Sequence, residues 1–425
     1  MRLPESFLYG ATIGAHQVEG RDFDSDWWRW EQRASRIRDG GTSELGAGHW
    51  ERYKEDYGLA QKLGHNAVCL SLSWARIQPE QDVFNEEALR HYREALECAA
   101  ASHLTPLCIL HQVSAPAWFS ARGGWCAPDA AVSFEAYARY VAGMLGDHCG
   151  LWLPVYEPEH WLTLACRERR WPGASAGRGA YRSALAQLSR AHTLACAALR
   201  EHNPKAQVGL SVRGTSVEPL DLHSPWDLRI ARWEQQRLNM RFINMINETA
   251  EMETEIDFIG LSYFGGCRVR FAPFYWRGGC ALPVDNSGRA DSIENTREDL
   301  AGFEEVLTVF AHLNKPIYLT GIGLDAADEH SRCRFLIEHI ETLIRMMNAY
   351  EGGLDVRAWF HAALLDGFEW HHGYTRRHGL VHVKHPGLER TPNKSAWLFK
   401  EIAEHGCVLP GHMRKYAHGG IAHDE

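Results

Sequence analysis

The chain lacks the features that mark membrane-embedded, disulfide-stapled or nucleic-acid-binding proteins. No apolar stretch approaches the roughly 20 residues a spanning helix needs. The opening Met1-Arg2-Leu3-Pro4-Glu5 has no apolar segment of the secretory kind. Basic charge is not in excess: 45 Lys and Arg stand against 54 Asp and Glu, for a net −9. No cationic field for nucleic acid or anionic lipid follows from that balance. The eleven cysteines are odd in number and include no C-x-x-C pair, which suits small buried side chains in a reducing compartment. Twenty-four histidines raise the question of metal, but the densest group, His371, His372, His378, His382 and His385, has no recognised ligand spacing. No metal and no other cofactor is expected. Repeats, low-complexity tracts and Pro/Gly/Ser linkers are missing too, so residues 1–425 are expected to form a single domain of a soluble, cytoplasmic protein.

What is present is an alternation. Short apolar runs at Phe7–Thr12, Asn66–Ser71, Thr105–His111, Leu151–Tyr156, Gln207–Val212, Ile256–Tyr263, Pro316–Thr320 and Val356–Leu364 are rich in branched and aromatic residues, as strands buried on both faces should be. Between them lie amphipathic patterns at Arg52–Leu63, Glu86–Ala101, Phe134–Leu145, Tyr181–Arg200, Arg297–His312 and Arg332–Tyr350, with Asn85 placed to cap the second. Strand and helix in turn predict an α/β protein with a parallel sheet, and eight strands over this length predict a closed (β/α)8 barrel. An open doubly wound sheet is the alternative, but no G-x-G-x-x-G or phosphate loop supports it. Barrel chemistry gathers at the C-terminal strand ends, which directs attention to Gln17, His111, Glu157, Phe264, Gly321 and Glu369.

Two segments there carry chemical character. Tyr156-Glu157-Pro158 puts a carboxylate directly after the fourth strand, either as an acid/base or as a salt-bridged structural residue. Phe368-Glu369-Trp370 follows the last strand and pairs a carboxylate with an indole. Sugar sites use that pairing, because carboxylates take hydroxyl hydrogen bonds and aromatic faces stack on pyranose C–H surfaces; a core Trp beside a rim Glu is the plainer reading.

With these segments in view, the sequence resembles the family 1 glycoside hydrolases, the β-glucosidase type, nearly end to end. The blocks that carry the resemblance are Phe7-Leu8-Tyr9-Gly10-Ala11 through Gly20, Arg52 through Ile77, Gly123-Gly124-Trp125, Tyr156-Glu157-Pro158, Pro316 through Thr320, Leu364 through Trp370, and Gly379-Leu380-Val381-His382-Val383. The resemblance implies that Glu157 is the general acid/base and that Gln17, Glu369 and Trp370 bind hydroxyls of the sugar. It also implies a departure. The family's nucleophile is the Glu of a Thr-Glu-Asn-Gly motif, which here reads Thr320-Gly321-Ile322-Gly323. Glycine forms no glycosyl ester.

Other departures surround that position. Tyr156 replaces the Asn before the acid/base, Cys69 an Arg that pairs with the nucleophile, and Phe264 a Tyr that hydrogen-bonds it. Gln112-Val113 replaces His-Trp beside His111; Ala362 stands for a Trp and His378 for a Phe. Losing the carboxylate alone would strand its Arg at a cost of about 3–5 kcal/mol. Losing anion, cation and phenol together predicts a pocket rebuilt as a neutral one, with Gly321 leaving room for a water or a substrate group. The expected partner is a small sugar or glycoside, with substrate contacts from Gln17, His111, Gln112, Tyr156, Phe264, Glu369, Trp370 and His378. Three functions stay open. One is an enzyme acting through Glu157 by inverting hydrolysis, transglycosylation, elimination or epimerisation, with His111, His361 and His378 as further titratable groups. Another is a non-catalytic sugar binder. The third is an ordinary retaining glycosidase whose nucleophile is Asp325 or Asp328. Phe274, Tyr275 and Trp276 are candidates for an outer subsite.

Overall fold

The computed structural model describes residues 2–173, 177–249, 256–276, 279–325, 328–349 and 353–417. Nine strands build its main sheet: β1 (Leu8–Ile13), β2 (Ala67–Ser71), β3 (Thr105–His111), β4 (Leu151–Val155), β5 (Gln207–Pro219), β6 (Phe258–Trp276), β7 (Gly279–Val284), β8 (Ile317–Ile322) and β9 (Val356–His361). All but β7 pair in parallel, from β1 through β6 in chain order, then β6 to β8, β8 to β9, and β9 back to β1. The ladder therefore closes on itself, and β7 sits outside the ring as an antiparallel partner of β6. Closure removes the free edges that an open sheet would have to protect.

Side-chain alternation along the strands divides the apolar residues into two cores. Cys69 on β2, Leu107 and Ile109 on β3, Leu153 on β4 and Phe360 on β9 belong to a compact cluster inside the ring. Their neighbours Val68, Leu70, Cys108, Leu110 and Trp359 belong to the larger core under the helices. Period-two alternation between two dry faces is why these strands read as unbroken apolar runs. Gly10 on β1 marks a close approach: a Cβ there would lie 2.6 Å from both the Ala67 carbonyl oxygen and Phe360 Cδ1.

The helices are built as the pattern dictates where the pattern is clean. Glu86–Ala101 starts at Asn85, whose Oδ1 accepts from the Ala88 N–H at 3.1 Å, and buries Leu89, Tyr92 and Leu96. The helix Pro225–Thr249 was not expected. Its buried face mixes Leu238, Phe242 and Ile246 with Glu234, Arg237 and Asn239, so no apolar stripe announces it. Those polar residues anchor the structure behind the site. Arg237 contacts Glu159 at 3.3 Å and bonds Glu234 through Nε at 3.0 Å, Arg167 bonds Glu234 at 2.7 Å, and the Tyr181 hydroxyl donates to Glu159. Breaking one member of such a buried set costs about 3–5 kcal/mol, and Glu159 belongs to the short helix Pro158–Leu162 that follows β4.

The strands β5 and β6 run well past the ends read from sequence. Beyond a bulge between Gly214 and Ser216 they stay paired to Pro219 and Val269, raising a rim on one side of the barrel mouth. The side chains of Phe274, Tyr275 and Trp276 lie outside the described residues. The described cysteines are all free thiols, and among the described residues no helix is long and apolar enough to cross a membrane.

Candidate active site

A cavity of about 230 Å3 opens at the C-terminal ends of the strands. Of the residues singled out in the sequence, Gln17, Gln112, Tyr156, Glu157, Phe264, Glu369, Trp370 and His378 line it; His111 and Gly321 do not.

Glu157 stands two residues past β4 and caps the helix Pro158–Leu162 in the left-handed region, at φ 45 and ψ 51. A non-glycine residue there costs about 1–3 kcal/mol, which the neighbouring contacts support: the Glu157 N–H donates to Ser211 Oγ at 3.2 Å, and Pro158 opens the following helix at a position that needs no N–H. The carboxylate is engaged on both oxygens. Ser262 Oγ donates to Oε1, and Arg213 Nη1 stands 3.8 Å from Oε2. Arg213 also covers the Phe264 ring at 4.5 Å and donates to His160 Nε2 at 3.0 Å. Burial, then the Arg213 charge, hold His160 well below the ordinary imidazole range, so it is a neutral acceptor for that guanidinium.

Opposite, on β8, the space at Gly321 is filled. An ideal Cβ there would lie 2.6 Å from the Tyr156 hydroxyl oxygen and 3.2 Å from Ser262 Cβ. The Tyr156 hydroxyl donates to the Thr320 carbonyl at 2.9 Å, which fixes it against that strand. The expected room for a water or a substrate group beside Gly321 is thus corrected: the phenol of Tyr156 takes the place.

The other wall is braced by hydrogen bonds and stacking. Gln17 Nε2 donates to Glu369 Oε2 at 3.0 Å. Burial, reinforced by Asp366 and opposed by Arg376, pushes the Glu369 carboxyl up to about 8, so near neutral pH it carries a proton and both donates and accepts. Trp370 stacks on His16 with centroids 5.7 Å apart and planes within 5°, and packs on Trp27 at 4.9 Å. Burial alone would lower His16, but hydrogen bonds and charge from Asp22 and Glu31 outweigh it and raise the imidazole to about 9. A cation is therefore sandwiched behind the indole.

Several expectations need correction. His111 is 3% exposed and packs among Trp74, Trp125 and Phe134, accepting from Trp125 Nε1 at 3.1 Å. Burial holds it down to about 3, so it is a neutral structural acceptor away from the cavity. His361 alternates with the inward Phe360 and faces the helices beside Phe399. Asp328 is exposed and caps a helix through the N–H groups of His330 and Ser331. The pocket is not neutral: Arg213, Glu294, Asp325 and Arg376 line it as well. Arg213 directly follows the expected fifth strand, so the strand-end rule that selected Glu157 would have found it. Glu294 comes from a rim loop with no sequence signal. It faces His371 Nε2 at 3.3 Å and His372 Nε2 at 3.6 Å; burial raises its carboxyl, but the two imidazoles prevail and hold it at about 2. Asp325 is exposed at the rim and paired with Arg376 at 3.3 Å.

Barrel, strand-end carboxylates and aromatic wall together invite comparison with known proteins. The model for glycosyl hydrolase family 1 matches residues 1–251 and 247–407. The chain belongs to that family. Among curated family 1 relatives, the 1,4-beta-D-glucan glucohydrolase of Thermotoga neapolitana is 25% identical, across 94% of this chain and 98% of the relative. A probable inactive beta-glucosidase 14 of Oryza sativa is 26% identical, across 94% and 90%. Among solved structures, the beta-glycosidase from Pyrococcus horikoshii superposes with a TM-score of 0.86 at 26% identity, covering 99% of both chains. The beta-glucosidase from Thermotoga maritima in complex with glucoimidazole gives 0.85 at 25%, covering 96% and 100%. The chain is thus a carbohydrate-active, glycosidase-like member of family 1.

Proposed function

We propose that this protein acts on a sugar or glycoside without a glycosyl-enzyme ester, with Glu157 as the group that gives and takes the proton. The observation that carries the reading is the Tyr156 hydroxyl, 2.6 Å from where a side chain at position 321 would begin. A retaining glycosidase needs two carboxyl groups about 5–5.5 Å apart, and a phenol bonded to the Thr320 carbonyl cannot serve as the second. Gln17, Glu369 and Trp370 supply an amide, a protonated carboxyl and an indole face, a set suited to a pyranose. The attacking group then comes from the substrate itself, as in an intramolecular rearrangement in which Glu157 takes the proton of the attacking group and returns it to the leaving one; inverting hydrolysis by water would require a second carboxylate as general base on the opposite face. A pure sugar binder is the second reading; it is favoured by Ser262 and Arg213, which already engage both oxygens of Glu157.

The test starts with chromogenic aryl β-glycosides and sugar titration by calorimetry. Release is expected to be slow or nil while sugars bind. Rapid release with retained anomeric configuration would overturn the reading and point to Asp325 as nucleophile. Glu157→Gln then separates the two readings. Turnover of the true substrate is expected to fall about 10²–10⁴-fold with binding kept; a binder shows no turnover to lose.

A further inference from the structure

We infer that Glu294, His371 and His372 form a site for one divalent transition-metal ion, with zinc the best match, in the cavity wall to which Glu294 contributes. The three come from two separate stretches, the rim loop before the helix Leu300–Ala311 and the turn after Trp370. One ligand atom from each lies within 4.8 Å of the others. The imidazoles address different oxygens of one carboxylate: His371 Nε2 is 3.3 Å from Oε2 and His372 Nε2 is 3.6 Å from Oε1.

Those separations are long for charge-assisted hydrogen bonds, which run about 2.7–2.9 Å. The 3.3 Å pair matches neighbouring ligands on one ion, since bonds of about 2.0–2.1 Å in a tetrahedron set ligand atoms about 3.3–3.4 Å apart, and His372, 3.6 Å from the other oxygen, needs only a small turn to join them. Hydrogen bonding points the same way. Glu294 Oε2, His371 Nε2 and both ring nitrogens of His372 have no hydrogen-bond partner, although Glu294 is 8% and His372 5% exposed. Unmet buried polar groups are costly, and one cation would meet the facing atoms together. Two imidazoles with one carboxylate are also the donor set of zinc sites that keep a position open; cobalt, nickel and manganese accept similar ligands. None of this depends on the sugar reading.

One contact opposes the ion. Trp171 Nε1 donates to His371 Nδ1 at 3.3 Å, which places the proton of a neutral His371 on Nε2, the atom that must bind. Metal binding shifts that proton to Nδ1 and leaves two N–H groups facing each other. Trp171 therefore weakens the site, the reverse of the usual arrangement in which a ligand's outer N–H finds an acceptor.

The full chain, stripped with a chelator and dialysed, is titrated with Zn2+ and with Co2+ by calorimetry, without sugar. One ion per chain is expected, together with the visible absorption of low-coordinate Co2+. His372→Ala and Glu294→Gln should each weaken binding more than about 10-fold, whereas Trp171→Phe should strengthen it by about 10-fold. Circular dichroism checks the fold; should His372→Ala fail to fold, the shape-conserving Glu294→Gln and Trp171→Phe decide. No stoichiometric binding, or binding indifferent to Glu294→Gln and Trp171→Phe, overturns the site and leaves the sugar reading intact.

Discussion

The cavity has two walls, built differently. On one, Gln17, Glu369 and Trp370 hold the positions that the family resemblance assigns to sugar contact, and they are locked to each other and to His16 and Trp27. On the other, around β4 and β8, Tyr156, Phe264 and Gly321 stand where the same resemblance leads one to expect an amide, a phenol and a nucleophile. A guanidinium, Arg213, leans over Phe264 towards Glu157. If the proposed function holds, the contrast separates grip on a sugar from the machinery of double displacement. The first needs donors, acceptors and a flat apolar face; the second needs two carboxyls at a fixed separation.

The sharpest way to break the contrast is to put the carboxylate back. Gly321→Glu should not restore retaining glycosidase activity. It should destabilise the fold by about 3–5 kcal/mol, because a buried charge with no cation is added where Tyr156 Oη already stands. Adding Tyr156→Asn should recover part of the loss; thermal melts and aryl glycoside assays report both. If the single variant folds normally and turns over, the wall is not closed as described.

A smaller effect sharpens the other wall. Glu369→Gln should weaken sugar binding by about 10–100-fold, the range for a hydrogen bond lost to a buried polar group. It should also stabilise the unliganded protein by about 1–2 kcal/mol, as removal of a strained functional group often does. Calorimetry and melting curves should therefore move in opposite directions.

The smallest effect on sugar concerns His111. His111→Phe should leave sugar affinity within about 2-fold while costing about 1–2 kcal/mol for the unpaired Trp125 N–H. Its pH signature has a definite sign. The imidazole is at about 3 in the fold and near 6.5 unfolded. Its contribution is complete above 6.5 and is lost as pH falls from there towards 3. The variant should melt with a shallower acid slope than the parent; an equal slope would mean that His111 is not held neutral.

The sequence made the barrel legible because its strands are dry on both faces: all five residues of β2 are buried, and such runs cannot be mistaken for exposed loops. It hid the helix Pro225–Thr249 because Glu234 and Arg237 occupy buried positions where periodicity requires apolar ones. At the site, strand-end position alone located Gln17, Glu157, Phe264 and Glu369 in the cavity, and the family resemblance added Gln112, Tyr156, Trp370 and His378. The sequence could not tell which way His111 turns, since a Trp125 N–H from a different segment decides that. Nor could it place Glu294, which lines the cavity from a loop bridged to β6 through Gly266 and Arg297.

The phenol of Tyr156 and the bare backbone at 321 also constrain descent. Each is tolerable because of the other: a carboxylate gained first collides, and an asparagine gained first leaves a void beneath the strand. A side chain at 321 and a smaller one at 156 must therefore arrive together, because only 2.6 Å separates the Tyr156 hydroxyl from the point where a side chain at 321 would begin.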